Sequence, residues 1–282
     1  MDDKDFQVSS EIFEENDYVV VTKKPILSEN NVVSKFNFYR PRCGLAIDAD
    51  GDLNVLRRNP RTPPSPTDFI EIEHKKSTVL GMVGLQVWRG AFLLADWLMH
   101  YHETIPKGSY VLELGSGVGF TSIVASMFFP VICTDVNRGD ILRLIECNVH
   151  RNENHVKNPI EVLELDFTSD RLPEEIVKHL PNVGVIIAAD TVYDDSLTEA
   201  FIRTIQRLLS TTRAQSSVYV ALEKRYVFTV ADCDTVAPCY DYYLECLEKL
   251  TNVKCEPVPL TFPQYFQYQR AKELVLWKVT AL

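Results

Sequence analysis

Residues 111–120 constrain the fold of this chain more than any other stretch. They read VLELGSGVGF, an apolar run followed by three glycines at alternate positions. The apolar run is typical of a buried strand, and the glycines let the backbone turn sharply and come close to a ligand. About one helix further on, a second apolar run, 131–134, leads into Asp135. This order of strand, glycine turn, helix, strand and carboxylate predicts a cradle for a nucleotide-like cofactor at the carboxyl edge of a parallel sheet.

The spacing of Gly115, Gly117 and Gly119 indicates which cofactor is bound. Dinucleotide-binding folds use the pattern G-x-G-x-x-G, in which a helix N-terminus faces a pyrophosphate. Here the pattern is G-x-G-x-G, and Glu113 stands two residues before the first glycine. A carboxylate there would repel a pyrophosphate, but it suits S-adenosylmethionine, which carries an ammonium and a sulfonium and no phosphate. We therefore expect this cofactor, with Asp135 accepting hydrogen bonds from both ribose hydroxyls; a tight turn without a ligand is the alternative.

Apolar runs alternate with helical patterns along the rest of the chain. Strands are predicted at 111–114, 131–134, 160–165, 183–188 and 218–222, with helices at 119–128, 139–150, 171–179 and 196–211. A helix at 86–102 precedes them, and a helix at 240–250 and strands at 253–257 and 274–279 follow. Near-continuous apolar strands indicate a sheet that is covered on both faces. The sequence thus predicts an α/β, Rossmann-like, doubly wound seven-stranded sheet, mostly parallel with an antiparallel C-terminal strand, plus an N-terminal extension.

The chain divides into three predicted parts. Residues 1–56 form an N-terminal extension that is partly ordered, with strand-like runs at 17–22 and 32–39. Residues 57–67 are rich in proline and arginine, so we expect an extended linker there. Residues 68–282 form the S-adenosylmethionine-dependent domain, which opens on an alternating strand at 69–74. The acidic run 48–52 lacks the glutamate that closes a calcium loop, and we interpret it as a polar turn.

Composition and charge exclude several classes of function. The formal net charge is −10, which argues against a general phosphate-binding surface, so direct binding to nucleic acid is not expected. No apolar run approaches the roughly 20 residues that span a bilayer, and the first residues lack the pattern of a secretory signal. The seven cysteines contain no C-x-x-C pair, and the spacing of Cys233, Cys239 and Cys246 fits no usual zinc site. We therefore expect an intracellular protein with free thiols, no metal and no membrane contact.

A second group of candidate residues follows the fourth strand of the predicted sheet. The run 183–189 leads into Asp190, and Tyr193 stands three residues further on. The carboxyl ends of the first and fourth strands flank the switch point of a doubly wound sheet, so both side chains should face a ligand above the glycine turn. Asp190 could instead cap the following helix, although Asp194 and Ser196 are better placed for that. Tyr193 could equally be a packed aromatic.

Three further residues are candidates for contacts with the cofactor. Asp166 ends the third strand and could accept a hydrogen bond from the adenine amino group, while Phe167 would cover the ring. The alternative for Asp166 is an ordinary acid at a strand end. Trp88 stands near the start of the predicted helix 86–102 and could form a wall at the amino-acid end of the cofactor. A core tryptophan would show the same pattern.

These residues together resemble the class I, seven-β-strand methyltransferases of family 16. The resemblance rests on Trp88, the turn 113–119, Asp135, the run 165–167 and the sequence DTVY at 190–193, with EKR at 223–225 after the fifth strand. It covers residue 48 to the C-terminus. It implies a protein-lysine N-methyltransferase that acts on a non-histone protein, one associated with nucleic acid, in the nucleus or else the cytoplasm.

The resemblance also implies a set of cofactor contacts: Trp88, Gly115, Ser116, Gly117, Asp135, Phe167 and Ala189. The family usually has tryptophan where this chain has Phe167, which leaves stacking on adenine but removes an indole donor. The sequence Asn-Pro-Pro-Tyr, typical of enzymes that methylate base amino groups or glutamine amides, is absent from the chain. Its absence weighs against a DNA or RNA amino group as the acceptor.

Methyl transfer to lysine needs a neutral amine in line with the methyl group. The ordinary pKa of lysine, about 10.4, leaves roughly 0.1% of it neutral at physiological pH. Burial and a neighbouring sulfonium favour the neutral amine, whereas an ionised Asp190 favours the ammonium and helps to capture it. We therefore expect Asp190 to orient the amine and Tyr193 to wall its channel, with the proton leaving to water. The run 223–225 either shapes the substrate entrance or forms a local ion pair between Glu223 and Arg225.

The expected partner is a protein with a basic, lysine-containing segment, and we expect the chain to be a monomer. Two other functions stay open at this point. One is methyl transfer to a small molecule or a nucleic acid, and the other is a non-catalytic scaffold that binds the cofactor. Intact Glu113, Asp135 and Asp190 weigh against the scaffold. A nicotinamide oxidoreductase is the weakest alternative, because the glycine spacing is wrong for it.

Overall fold

A computed structural model describes residues 7–15, 17–40, 68–212, 216–229 and 234–282. The run 48–52, the linker 57–67, Cys43 and Cys233 lie outside these residues, so what we predict for them stays a prediction. The first elements in chain order are β1 (Gln7–Val8), α1 (Ile12–Glu15), β2 (Val19–Val20), β3 (Val32–Phe38), β4 (Asp68–His74), β5 (Thr78–Val79) and α2 (Arg89–Tyr101). A 3-10 turn, Leu80–Leu85, connects β5 to the segment before α2.

The central sheet and its helices follow. They are β6 (Tyr110–Leu114), α3 (Phe120–Ala125), β7 (Val131–Asp135), α4 (Ile141–Arg151), β8 (Ile160–Glu164), α5 (Glu174–Val177), β9 (Val183–Ala189), α6 (Asp195–Thr211), β10 (Ser217–Glu223), β11 (Val227–Thr229), β12 (Asp234–Val236), α7 (Pro238–Glu248), β13 (Val253–Pro257) and β14 (Leu274–Ala281). β11 and β12 form a separate hairpin after the fifth parallel strand.

The seven strands of the central sheet run in the order β13-β14-β10-β9-β6-β7-β8. The five strands from β10 to β8 are parallel to one another, and β14 is antiparallel to both β10 and β13. The predicted fold class is therefore confirmed. The chain adds β7 and β8 on one side of β6, and β9 and β10 on the other. The switch point thus lies between β6 and β9, where ligands bind in sheets of this kind.

Apolar side chains cover both faces of the sheet. Along β9, Val185 and Ile187 belong to one core cluster, whereas Ile186 and Ala188 belong to the other. The first cluster includes side chains of α2, α3 and α4, and the second includes side chains of α6 and α7. A strand between two helical layers has to alternate in this way, because successive side chains point to opposite faces.

Three helices begin or end three residues away from the prediction, whereas α4, α6 and α7 differ from it by one or two residues. α2 starts at Arg89 and not at residue 86. The side chain of Gln86 accepts a hydrogen bond from Ser10 N (2.9 Å) and donates one to Val8 O of β1 (2.9 Å). These two hydrogen bonds hold the segment before α2 extended. α5 is a single turn, Glu174–Val177, since Pro173 disfavours helical backbone in the residue before it. α3 ends at Ala125.

Part of the N-terminal extension packs on the central domain. β3 lies between β2 and β4 in an antiparallel sheet, and β1 pairs with β5. Phe36 and Phe38 of β3 are fully buried and contact the rings of Phe92, Phe120 and Phe266. The predicted division at residues 56 and 67 stays a prediction, because 41–67 are not among the described residues. Within the ranges described, no helix is long and apolar enough to cross a membrane.

Candidate active site

One pocket at the carboxyl ends of β6, β7 and β9 brings the predicted site residues together. Its lining includes Trp88, Glu113, Gly115, Ser116, Gly117, Asp135, Asp166, Phe167, Ala189, Asp190 and Tyr193. Gly119 is the exception: it is the residue before α3, with φ of 81°, and does not line the pocket. Residues more than a hundred positions apart in the chain thus meet at the switch point, as the fold predicts.

The glycine turn is hydrogen-bonded to β7 and packs against the turn Leu80–Leu85, which was not predicted to be part of the site. Gly117 has φ of 58°, and a Cβ there would lie 2.8 Å from the carbonyl oxygen of Gly84 in the turn Leu80–Leu85. Its N–H donates to Asp135 Oδ2 (2.7 Å), and Ser116 N donates to Thr134 O (2.9 Å). A side chain at position 117 would therefore clash with backbone and force an unfavourable left-handed conformation.

Asp135 is buried at the end of β7, with its carboxylate held by backbone. Oδ2 accepts from Gly117 N, and Oδ1 accepts from Val136 N at 2.7 Å. Burial raises the pKa of Asp135 to about 6, against the effect of these two N–H groups. A carboxylate can accept about four hydrogen bonds, so two acceptor positions remain for a pair of ribose hydroxyls.

Glu113 lies beneath the glycine turn and is only 1% exposed. Ser122 Oγ donates a hydrogen bond to its carboxylate. Burial raises the pKa of Glu113 to about 8, so the side chain is mostly protonated at neutral pH while no cation is near. From the sequence, Glu113 is expected to be an anion that faces the ligand. Its burial instead makes its charge conditional, because a cationic ligand above the turn would favour ionisation.

The adenine side of the pocket is formed by residues after β8. Asp166 Oδ1 accepts from both the backbone N and the hydroxyl of Thr168 (2.8 and 2.7 Å), which orients the carboxylate. Phe167 is half-buried, and its ring centroid lies 5.4 Å from that of Phe201 in α6. The ring edge also lies beside Gly115. This arrangement leaves Phe167 supported from behind, as a stacking platform requires.

Asp190 follows β9 in a left-handed conformation, with φ of 50°. Its Oδ2 accepts from Gly90 N (2.6 Å) and its Oδ1 accepts from Glu223 N (3.0 Å). Asp190 therefore caps α2 from across the fold and ties it to the end of β10. The cap of α6 is Asp194, whose Oδ1 accepts from Leu197 N (2.9 Å), so Asp190 does not fill that role. Strained backbone that surrounding contacts enforce is common at functional sites.

The environment of Asp190 differs from that of Tyr193. Burial raises the pKa of Asp190, and the charge of Arg225 opposes this shift. Burial also raises the pKa of Tyr193, but the charges that act on it are those of Asp135 and Asp194 and, in the opposite direction, Arg138. Both residues line the pocket, and Asp190 is bonded to Gly90 of α2. Their predicted catalytic roles stay predictions.

Trp88 lines the pocket, as Asp190 does, whereas the run 223–225 is not part of the lining and reaches Trp88 through Arg225. The indole of Trp88 donates to Val83 O (2.9 Å), and the guanidinium carbon of Arg225 lies 4.3 Å from the centre of its ring. Glu223 forms an ion pair with Arg89, not with Arg225. The local pair considered in the sequence analysis is therefore not formed.

Sequence reasoning missed two parts of the site. The turn Leu80–Leu85 lines the pocket, and its two glycines, Gly81 and Gly84, were the available signal. The segment 7–15 lies beside Arg89 and Arg225, yet nothing in its sequence marks it as part of a site. Among the residues described, no group of three histidine, cysteine, aspartate or glutamate side chains could hold a metal ion.

A family model described as lysine methyltransferase matches residues 67–254. Methyltransferase-like protein 22 of Mus musculus is 35% identical over 86% of this chain and 75% of that protein. The protein of the same name from Homo sapiens is 34% identical over 83% and 70%. Protein N-terminal and lysine N-methyltransferase EFM7 of Cryptococcus neoformans is 30% identical over 54% of each chain.

Proposed function

We start from the fact that this chain belongs to the lysine methyltransferase family, and we propose which acceptor it methylates. The chain is an S-adenosylmethionine-dependent protein-lysine N-methyltransferase. Its proposed acceptor is a lysine in a basic segment of a non-histone protein that is associated with nucleic acid. We further propose that the enzyme works as a monomer, in the nucleus or the cytoplasm.

The charge of the pocket carries the proposal. Its lining contains four carboxyl side chains and one guanidinium: Glu113, Asp135, Asp166, Asp190 and Arg138. A pyrophosphate would be repelled by this lining, whereas an ammonium and a sulfonium are attracted to it. The same excess of carboxylates suits a basic acceptor and disfavours a polyanionic one. This supports a lysine over a base in a nucleic acid.

The residues of the pocket would hold S-adenosylmethionine along the switch point. We assign Asp135 to the ribose hydroxyls, Phe167 and Asp166 to the adenine, and the glycine turn with Glu113 to the amino-acid end. The cofactor supplies an electrophilic methyl group on a sulfonium. Trp88, Asp190 and Tyr193 line the remaining part of the pocket, where the acceptor amine would approach Asp190 between two aromatic side chains.

Asp190 is suited to orienting the amine because its own position is fixed. Each of its oxygens accepts one backbone N–H, and each has a further acceptor position for the lysine amine. In a water-excluded site such alignment supplies much of the catalysis. We propose that the lysine proton leaves to water before the amine is enclosed, because no histidine, the usual general base near neutral pH, lines the pocket among the described residues.

Two measurements test this function. Calorimetric titration with S-adenosylhomocysteine should show binding at one site, and replacing Asp135 by alanine should abolish it. Labelled S-adenosylmethionine should then transfer its methyl group to a component of an undermethylated cell extract. Label that disappears after protease treatment and survives nuclease supports a protein acceptor. Label lost to nuclease, or found only in small molecules, would replace the acceptor we propose.

A further inference from the structure

A cluster of charged side chains lies next to Asp190, on the side of Trp88 that Arg225 covers. It combines segments that are far apart in the chain: four carboxyl groups and two guanidinium groups, from Glu11, Glu15, Asp190, Glu223, Arg89 and Arg225. With all groups ionised, two negative charges have no cation among these residues. The cluster has no assigned role so far, and Glu11 and Glu15 lie outside the stretch that the family model matches.

The N-terminal segment 7–15 is held against this cluster by specific contacts. Glu15 Oε1 accepts from Arg89 Nε (2.6 Å), and Glu15 Oε2 accepts from Gln269 N (2.7 Å). Arg89 also pairs with Glu223, which joins the segment to the end of β10. Glu11 is therefore fixed near Asp190 by contacts that do not involve its own carboxylate.

Three polar atoms of the cluster are buried and lack a hydrogen-bond partner among the described residues: Glu11 Oε2, Glu223 Oε2 and Arg225 Nη2. The Glu223 side chain is 7% exposed and uses only its other oxygen, toward Arg89. Glu11 Oε2 and Arg225 Nη2 are 3.9 Å apart, too far for a hydrogen bond. Buried carboxylate oxygens without donors are costly, so this arrangement is suited to a cation that arrives from outside.

We propose that Glu11 and Glu223 form a subsite that binds a second basic side chain of the acceptor protein, a lysine or arginine near the lysine that is methylated. The proposal rests on the proposed function. Glu223 N donates to Asp190 Oδ1 at 3.0 Å, so this subsite adjoins the carboxylate that we assign to the acceptor amine. Arg225 lies on Trp88 and donates to neither free oxygen, so it leaves both for the incoming group.

The test compares Glu11→Gln with Glu14→Gln in the full chain. Each change removes one carboxylate: Glu11 directly precedes α1, and Glu14 lies within it. Glu14 is exposed and forms no ion pair among the described residues. The rate of methyl transfer to protein is measured in dilute undermethylated extract, where it is proportional to kcat/KM for the acceptor. We expect Glu11→Gln to lower this rate roughly tenfold or more, the loss of one charged hydrogen bond. Glu14→Gln should leave it unchanged, and Glu11→Asp should restore part of it.

Two further readouts separate a binding role from a structural one. Affinity for S-adenosylhomocysteine should be the same in Glu11→Gln as in wild type, and the midpoint of thermal unfolding should be no lower, because Glu11 is partly exposed and its contact to Arg225 is long. A hexapeptide of alternating alanine and arginine, which has no methyl acceptor lysine, should inhibit the wild type. It should inhibit Glu11→Gln at least about tenfold more weakly.

Each outcome of these measurements either supports or refutes the subsite. Equal rates for Glu11→Gln and Glu14→Gln, or equal inhibition of wild type and Glu11→Gln by the arginine peptide, would refute the subsite while leaving the methyltransferase intact. If Glu11→Gln loses cofactor affinity or stability, Glu11 is structural and the subsite is again refuted. If the wild type labels no protein at all, the proposed acceptor class fails and the subsite fails with it.

Discussion

Replacing Asp190 by asparagine tests whether this side chain joins α2 to β10 as the structure indicates. The carboxylate is half-buried and accepts two backbone N–H groups, from Gly90 and Glu223. An amide keeps only one acceptor oxygen. Whichever way it points, its NH2 group faces a backbone N–H, and one buried donor loses its partner.

The size of the effect follows from these contacts. A buried donor without a partner costs about 1–3 kcal/mol. The lost anion at the N-terminus of α2 adds about 0.3–1 kcal/mol. Burial raises the pKa of Asp190, so removing its charge offsets part of this loss. We therefore expect Asp190→Asn to lower the free energy of unfolding by about 2 kcal/mol.

Urea unfolding of the unliganded protein at neutral pH measures this change, with Asp194→Asn as the matched control. Asp194 caps α6 and accepts from Leu197 N, and asparagine caps a helix about as well as aspartate. The control should stay within about 0.5 kcal/mol of wild type. If Asp190→Asn is as stable as the control, the tertiary cap on α2 contributes nothing, and the reasoning about Asp190 is wrong.

Four further predictions follow from the same pocket. Asp190→Ala should lower turnover by at least about 100-fold while S-adenosylhomocysteine still binds by calorimetry; turnover near that of wild type would remove Asp190 from the mechanism. Burial raises the pKa of Glu113 to about 8 and that of Asp135 to about 6. The folded chain therefore binds these two protons more tightly than the unfolded chain does. The free energy of unfolding of the unliganded protein should fall as the pH rises toward 8. Glu113→Gln should remove the part of this fall between about pH 6 and 8 in urea unfolding, and an unchanged slope would contradict the assignment. Gly117→Ala should cost about 1–2 kcal/mol for the left-handed backbone, plus the clash with Gly84 O, and weaken binding of S-adenosylhomocysteine; unchanged affinity would show that the turn can shift.

Local patterns were sufficient to predict the central fold and most of the pocket. Apolar runs of strand length and the glycine spacing depend only on neighbouring residues, and the switch-point rule then places Asp135 and Asp190 at one edge. Helix ends were less predictable where a tertiary contact decided them. Gln86 belongs to a helical pattern, but its hydrogen bonds to Val8 and Ser10 keep residues 86–88 extended.

Long-range packing explains what the sequence did not reveal. The contact between Glu15 and Arg89 joins residues 74 positions apart, and no periodicity in either segment indicates it. The protonation of Glu113 depends on burial under α3, which a sequence pattern does not measure. For the same reason Asp190 could be placed near the ligand, whereas its bond to Gly90, 100 residues away, could not be predicted.

Under the proposed function, the carboxylates of the pocket would favour the methyl donor over the product. Glu113, Asp135 and Asp190 are each harder to ionise in the unliganded protein than in water, because burial raises the pKa of all three. A ligand with two cationic groups relieves this cost more than a ligand with one. Methyl transfer removes the sulfonium charge, so the carboxylates then have one cation fewer to stabilise them. The same charges that attract S-adenosylmethionine therefore favour its exchange for the spent product after each turnover.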